Sequence, residues 1–164
     1  MADPGVTVAQ GLAALMFSWL VVTDVTERRI PNLAIVVLLI IAVMLVPFSG
    51  MQVLISLACL FAGLAAFAKG WLGAGDSKLL AVCLYAAQEH WLACLLMTAV
   101  FGGGLSLIYL ARNRWFPTWQ PAHSAACTVP YGVAITLGAL SATPLISMPL
   151  ISTSLISTPL IIFP

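Results

Sequence analysis

Two of the five acidic residues in this 164-residue chain stand at the ends of long apolar stretches and inside short polar motifs. Asp24 opens Asp24-Val25-Thr26-Glu27-Arg28-Arg29-Ile30-Pro31-Asn32, and Asp76 lies in Gly73-Ala74-Gly75-Asp76-Ser77-Lys78. Two carboxylates held a few ångströms apart cannot both ionise cheaply, so such a pair shares one proton. The ionised member can then activate water as a general base. The protonated member polarises a carbonyl and later hands its proton to a leaving amine. That is amide hydrolysis by paired aspartates, and it calls for no metal and no cofactor. The competing reading is of two solvated helix-end charges paired with Arg28, Arg29 or Lys78. Gly73 and Gly75 permit a backbone geometry and a closeness of approach that a side chain would block. Pro31 fixes φ at the entry to the next apolar stretch, and Asn32 is able to cap it.

The elements that must position these residues follow from composition. The chain is 62% hydrophobic and only 7% charged, whereas a soluble domain is about 25% charged. That excludes an ordinary water-soluble fold, and disorder needs the opposite composition. A net charge of +1 offers no polyanion-binding patch, so nucleic acid is not an expected partner. The solvent is the lipid bilayer. At roughly 20 residues per span, apolar stretches at 6–23, 32–48, 51–69, 71–88, 90–111 and 129–147 predict an all-α polytopic membrane protein of six transmembrane helices. The first lacks a basic n-region and reads as a retained span rather than a signal peptide.

The bases orient this layout, because cytoplasmic loops are rich in Lys and Arg. Arg28 and Arg29 follow the first stretch, Lys69 and Lys78 bracket the joint of the third and fourth, and Arg112 and Arg114 follow the fifth. Six spans with the N-terminus outside put all of them on the cytoplasmic face, together with Asp24, Glu27 and Asp76. Asp3 and Glu89 fall on the other side. Residues 1–147 thus form one transmembrane domain. Residues 148–164 form a tail in which a loose five-residue repeat, PLISM-PLIST-SLIST-PLIIF from residue 144, is broken by prolines. Its expected form is irregular or interfacial, with a seventh short span as the alternative.

Cys59, Cys83, Cys94 and Cys127 are scattered without a CxxC pair and read as inert thiols, not as metal ligands or disulfides. His90 reads as an interfacial position and His123 as a surface residue in a loop with Trp115 and Trp119. Gly102-Gly103-Gly104 offers a small-residue face, for helix packing or for a substrate groove. Lys78 suits either a steadying role beside the aspartates or a topological anchor. Arg28 and Arg29 read as topological. Glu27 reads as a solvated loop acid, with reception of a basic peptide as the alternative.

Taken together, the Asp24 motif with Arg29-Ile30-Pro31-Asn32, the Gly73-Ala74-Gly75-Asp76-Ser77-Lys78 motif, and Val129-Pro130-Tyr131-Gly132-Val133-Ala134 at the sixth stretch resemble the type IV prepilin peptidases, intramembrane aspartic proteases of the GxGD class. The resemblance spans about residues 6–140. It implies an aspartic endopeptidase of the bacterial cytoplasmic membrane that removes the basic leader of prepilins or pseudopilins, each a single transmembrane helix, at the cytoplasmic face. It places the catalytic aspartates at Asp24 and Asp76, supported by Arg29, Pro31, Asn32, Gly73, Gly75 and Lys78. Larger members carry a cytosolic cysteine-tetrad loop and methylate the new amino terminus. Here the first stretch runs straight into Asp24, which is similar to the short Flp-type, tight-adherence branch. The proline-rich tail departs from the family pattern. A homo-oligomer is compatible with all of this. The alternative function is a non-enzymatic membrane subunit or small cation-coupled transporter with structural aspartates. Transporters favour mid-membrane acids on broken helices or inverted repeats, whereas both aspartates here lie at the rim.

Overall fold

The computed structural model describes residues 4–27, 29–115 and 131–143. Among them, six α-helices and one 3-10 turn account for the regular structure, with no strand: α1 Pro4–Thr26, α2 Asn32–Leu45, α3 Gly50–Ala68, α4 Ala74–Ala87, the turn Gln88–His90, α5 Trp91–Trp115 and α6 Tyr131–Ala142. Each helix falls within or close to one of the six apolar stretches. The proline-rich tail, Cys127, His123 and Arg28 lie outside the described residues.

The helices are of two kinds. With 23, 19 and 25 residues, α1, α3 and α5 are about 28 to 38 Å long, enough to cross a hydrocarbon core of about 30 Å. Three segments are long and apolar enough to do so: Gly5–Thr26, Gly50–Ala68 and Ala74–Arg112, the last containing α4 and most of α5. By contrast α2, α4 and α6, with 14, 14 and 12 residues, reach only about 18 to 21 Å. Their shortness has local causes. Val46 is extended at φ −115° and ψ 135°, as expected before Pro47, so α2 stops at Leu45. At the end of α3, Gly70 adopts φ +74°. Its N–H donates to Phe67 C=O and that of Trp71 to Ala66 C=O. This glycine-closed C-cap turns the chain before α4 can begin. Lys69 lies over the Trp71 ring, 4.9 Å from its centre, a contact suited to an interface.

Burial follows the bilayer pattern. Large apolar side chains such as Val8, Leu15, Met44, Phe61 and Leu107 are exposed, which is tolerable only where the surroundings are apolar. The core instead joins Phe17 and Leu20 of α1, Leu38 and Ile41 of α2, Leu79 through Ala87 of α4, Cys94 of α5 and Ile135 of α6. The buried α4 is central, packing on α2, α3, α5 and α6, while α1 packs on α2 and α6. α1 and α4 are therefore held in register by shared neighbours more than by each other.

Small residues set the closest crossings. A Cβ at Gly63 would lie 2.7 Å from Ser77 Cβ across the α3–α4 contact. On α5 and α6, Thr98 meets Gly138 and Gly102 meets Ala134. Each pair of partners is spaced four residues apart on its helix, so the two helices run antiparallel with small residues at the seam. Of the glycine triplet only Gly102 joins this packing; Gly103 and Gly104 have nothing within 4 Å of an added Cβ. Cys83 and Cys94 are buried free thiols and Cys59 is a half-buried one.

Candidate active site

The alternating helix directions bring the C-terminal end of α1 and the N-terminal ends of α2, α4 and α6 to one end of the bundle. Four contacts tie them. Lys78 Nζ of α4 donates to Asn32 Oδ1 of α2 at 3.4 Å. An added Cβ at Gly75 would lie 2.9 Å from Ile30 Cβ, and one at Gly132 would lie 3.2 Å from Ile30 Cδ1 and 2.7 Å from Asp24 Oδ2. Asp24 and Asp76 are both in this cluster, and the charge of Asp24 acts on the Asp76 carboxyl. Three helix N-termini directed at one place make it favourable for negative charge.

Asp24 lies in the last turn of α1 and is only 6% exposed. Its Oδ2 accepts a hydrogen bond from the backbone N–H of Val133, 3.1 Å away in the first turn of α6. Asp76 occupies the third position of α4 and is half-buried. It takes the backbone N–H of Gly73, the residue that caps its own helix, which is the acidic half of a capping box. The two glycines of the Gly73–Asp76 motif therefore have separate duties. Neither has positive φ; both serve close approach. A Cβ at Gly73 would stand 2.7 Å from Asp76 Oδ2, and one at Gly75 would strike Ile30.

The other expected site residues are placed as follows. Pro31 is the N-cap residue of α2, at φ −67° and ψ 125°, with no side-chain cap. Asn32 is thus the first helical residue and not the cap, because Pro31 already supplies the extended entry; its side chain instead meets Lys78. Arg29 is exposed in the extended link between α1 and α2. Glu27 and His90 are also exposed. Ile30, Gly132 and the N–H of Val133 had no assigned role in the sequence reading. Ile30 is signalled in the sequence only by its place in the Asp24 motif, and Gly132 and Val133 only by the Val129–Ala134 motif, since a backbone donor leaves no mark in residue chemistry. Among the described residues, no three His, Cys, Asp or Glu side chains gather in a metal-holding arrangement.

Beside the aspartates, α2 and α3 splay apart over α4. The groove between them, about 580 Å³, is lined by Ile35, Leu39, Leu57, Ala81 and Val82, with Lys78 at the aspartate end.

Gly75→Ala tests the contact with Ile30. Ile30 Cβ is fixed to the backbone and cannot swing away, so α4 and the α1–α2 link must part. The expected loss is about 1 to 3 kcal/mol, read as a lower unfolding midpoint in detergent, whereas Gly103→Ala leaves the midpoint unchanged.

A family model described as the type IV leader peptidase family matches residues 11–108, a segment that contains both aspartates and the whole of α2, α3 and α4. No curated protein and no solved structure matches the chain significantly.

Proposed function

This chain belongs to the type IV leader peptidase family, a family of aspartic-type peptidases, and from that premise we propose that it is a prepilin leader peptidase in which Asp24 and Asp76 are the catalytic pair. The observation that carries the reading is the placing of both carboxylates at one end of an apolar bundle, where the charge of Asp24 acts on Asp76, beside the N-termini of α2, α4 and α6. The bilayer domain of residues 1–147 holds the substrate's helix, and the scissile bond lies at the rim. The described bases Arg29, Lys69, Lys78, Arg112 and Arg114 lie in or next to the aspartate-end termini of the helices, which supports a cytoplasmic position for the site and an outside N-terminus.

The chemistry follows from the pair. One carboxylate is ionised and takes a proton from the attacking water. The other carries the shared proton, polarises the scissile carbonyl through it, and passes it to the amine nitrogen as the C–N bond of the tetrahedral intermediate breaks. Gly73, Gly75 and Pro31 set the backbone around the pair. Lys78 and Asn32 tie α4 to α2 beside it, and Arg29 faces the aqueous rim. The substrate proposed is an Flp-type prepilin or a pseudopilin, in the bacterial inner membrane.

Co-expression with a candidate Flp-type prepilin, followed by gel shift for leader removal, tests the reading. Wild type yields the mature pilin, and Asp24→Asn and Asp76→Asn leave the precursor intact. Full processing by either variant ends the assignment of the pair.

The groove between α2 and α3 supports a substrate that is itself an apolar helix, because it is continuous through Lys78 with the turn that carries Asp76. Leu57 lines it at 45% exposure. Leu57→Trp is expected to raise KM severalfold with kcat unchanged, while Leu54→Trp, on the exposed face of α3 away from the groove lining, leaves both unchanged. Equal kinetics for the two variants would assign the groove to lipid.

A further inference from the structure

Asp24 occupies an unfavourable place for a working carboxylate. It lies in the last turn of α1, where the helix dipole presents its negative end and opposes an anion. It is also almost wholly buried, which adds a desolvation cost to the charged form. Asp76 has neither handicap to the same degree, since it stands in the first turn of its own helix and takes the N–H of Gly73 from that helix. One group that offsets the position of Asp24 comes from 109 residues away in sequence: the Val133 N–H, at 3.1 Å, from the positive end of α6.

That donor is available for structural reasons. Val133 is the third residue of α6, so its N–H has no partner within the helix. Gly132 presents no side chain to the carboxylate, and a Cβ there would come within 2.7 Å of Oδ2 and 2.9 Å of Cγ. The turn is anchored in its place, because Thr136 Oγ1 donates to the Gly132 carbonyl at 2.8 Å and α6 packs on α1, α4 and α5.

We propose that the first turn of α6 is the positioning element of the catalytic pair, with the Val133 N–H, admitted by the bare Gly132, holding the Asp24 carboxylate in the orientation from which it takes the proton of water. This rests on the assignment of Asp24 as catalytic. Val133 and Gly132 act through Asp24 and do not touch substrate. The site is then incomplete until α6 has docked on α1, although both aspartates precede it in the chain.

The test uses the full-length protein reconstituted in vesicles with a prepilin substrate. Val133→Pro removes the N–H at a helix position where proline is tolerated, and Gly132→Ala keeps the N–H but pushes the carboxylate aside. Each is expected to lower kcat by about 100-fold with KM unchanged, the scale of an ångström's misplacement of a catalytic group. Val133→Ala, which trims the side chain and keeps the N–H, recovers most of that rate. Wild-type turnover by Gly132→Ala, or a loss in Val133→Ala as large as in Val133→Pro, overturns the proposal while leaving the aspartate pair standing. Should Val133→Pro not fold, Gly132→Ala decides alone. Cleavage by Asp24→Asn in the same vesicles defeats the underlying assignment instead.

Discussion

If the proposed pair is catalytic, Asp24→Asn and Asp76→Asn are each expected to slow leader cleavage by about 10⁴-fold, with the double variant no slower than either single one. The expectation follows from how a shared proton works. Asparagine is nearly isosteric with aspartate and keeps a hydrogen-bonding group in place, so the bundle should assemble normally. What it lacks is the exchange of a proton. With Asn at 24, no carboxylate remains to accept the proton of water in the Val133-bound position. With Asn at 76, the proton that polarises the carbonyl and protects the amine leaving group has no owner. Either loss halts the same cycle, which is why the effects do not add. Removing one carboxylate also relieves the repulsion between the two, so neither variant should be less stable than the wild type. Measured in vesicles, loss of cleavage with an unchanged or raised unfolding midpoint is the expected combination. A double variant slower than the singles by the product of their effects would mean that the two residues act independently, and the pair would have to be abandoned.

Much of this arrangement is legible in the residues alone, and the reason is scarcity. In a chain with eleven charged residues, each one is informative, and Asp24 and Asp76 stand out because their neighbours are helix punctuation: Ile30-Pro31-Asn32 after one, Gly73-Ala74-Gly75 before the other. The features that escape are those made by backbone or by plain hydrocarbon. Ile30 reads as one more apolar residue, yet it fills the space beside Gly75 and Gly132. The Val133 N–H exists in every residue but proline, and only the approach of α6 to α1 gives it a task. The role of α2 and α6 as common neighbours of α1 and α4 is likewise a property of three-dimensional packing that no single stretch encodes. Asn32 shows a subtler limit: a capping residue type one position too late becomes the first helical residue, and its side chain is released to meet Lys78.

Gly138→Val is expected to cost the protein its fold, and the comparison with Gly132 explains why two glycines six residues apart on one helix should behave so differently. At Gly132 an added Cβ meets the free end of a side chain, the Asp24 carboxylate, which can turn away. The helix survives and catalysis suffers. At Gly138 the added Cβ would meet the Thr98 side chain and also its backbone, 2.8 Å from the nitrogen and 3.0 Å from Cα. A helix backbone cannot turn away, so α5 and α6 must separate along their seam. The Gly102–Ala134 contact then opens as well, although it is an ordinary 3.6 Å separation with no strain of its own. Overpacking a tight core usually costs about 1 to 3 kcal/mol, and valine adds two methyl groups beyond the first collision, so a loss of about 3 kcal/mol or more is expected. That is a large share of the 5 to 15 kcal/mol, roughly, that holds a typical protein folded. The readouts are low recovery of monodisperse protein from the membrane and a depressed unfolding midpoint, with Gly104→Val, on the open face of α5, as the comparison that stays near wild type. Because α6 carries Gly132 and Val133 at its other end, partial separation at the Gly138 seam should also loosen the hold on Asp24. Any Gly138→Val protein that does fold is therefore expected to cleave slowly in the same way as Gly132→Ala, with kcat lowered and KM retained. Full activity in folded Gly138→Val would show that the α5–α6 seam does not set the register of the catalytic end.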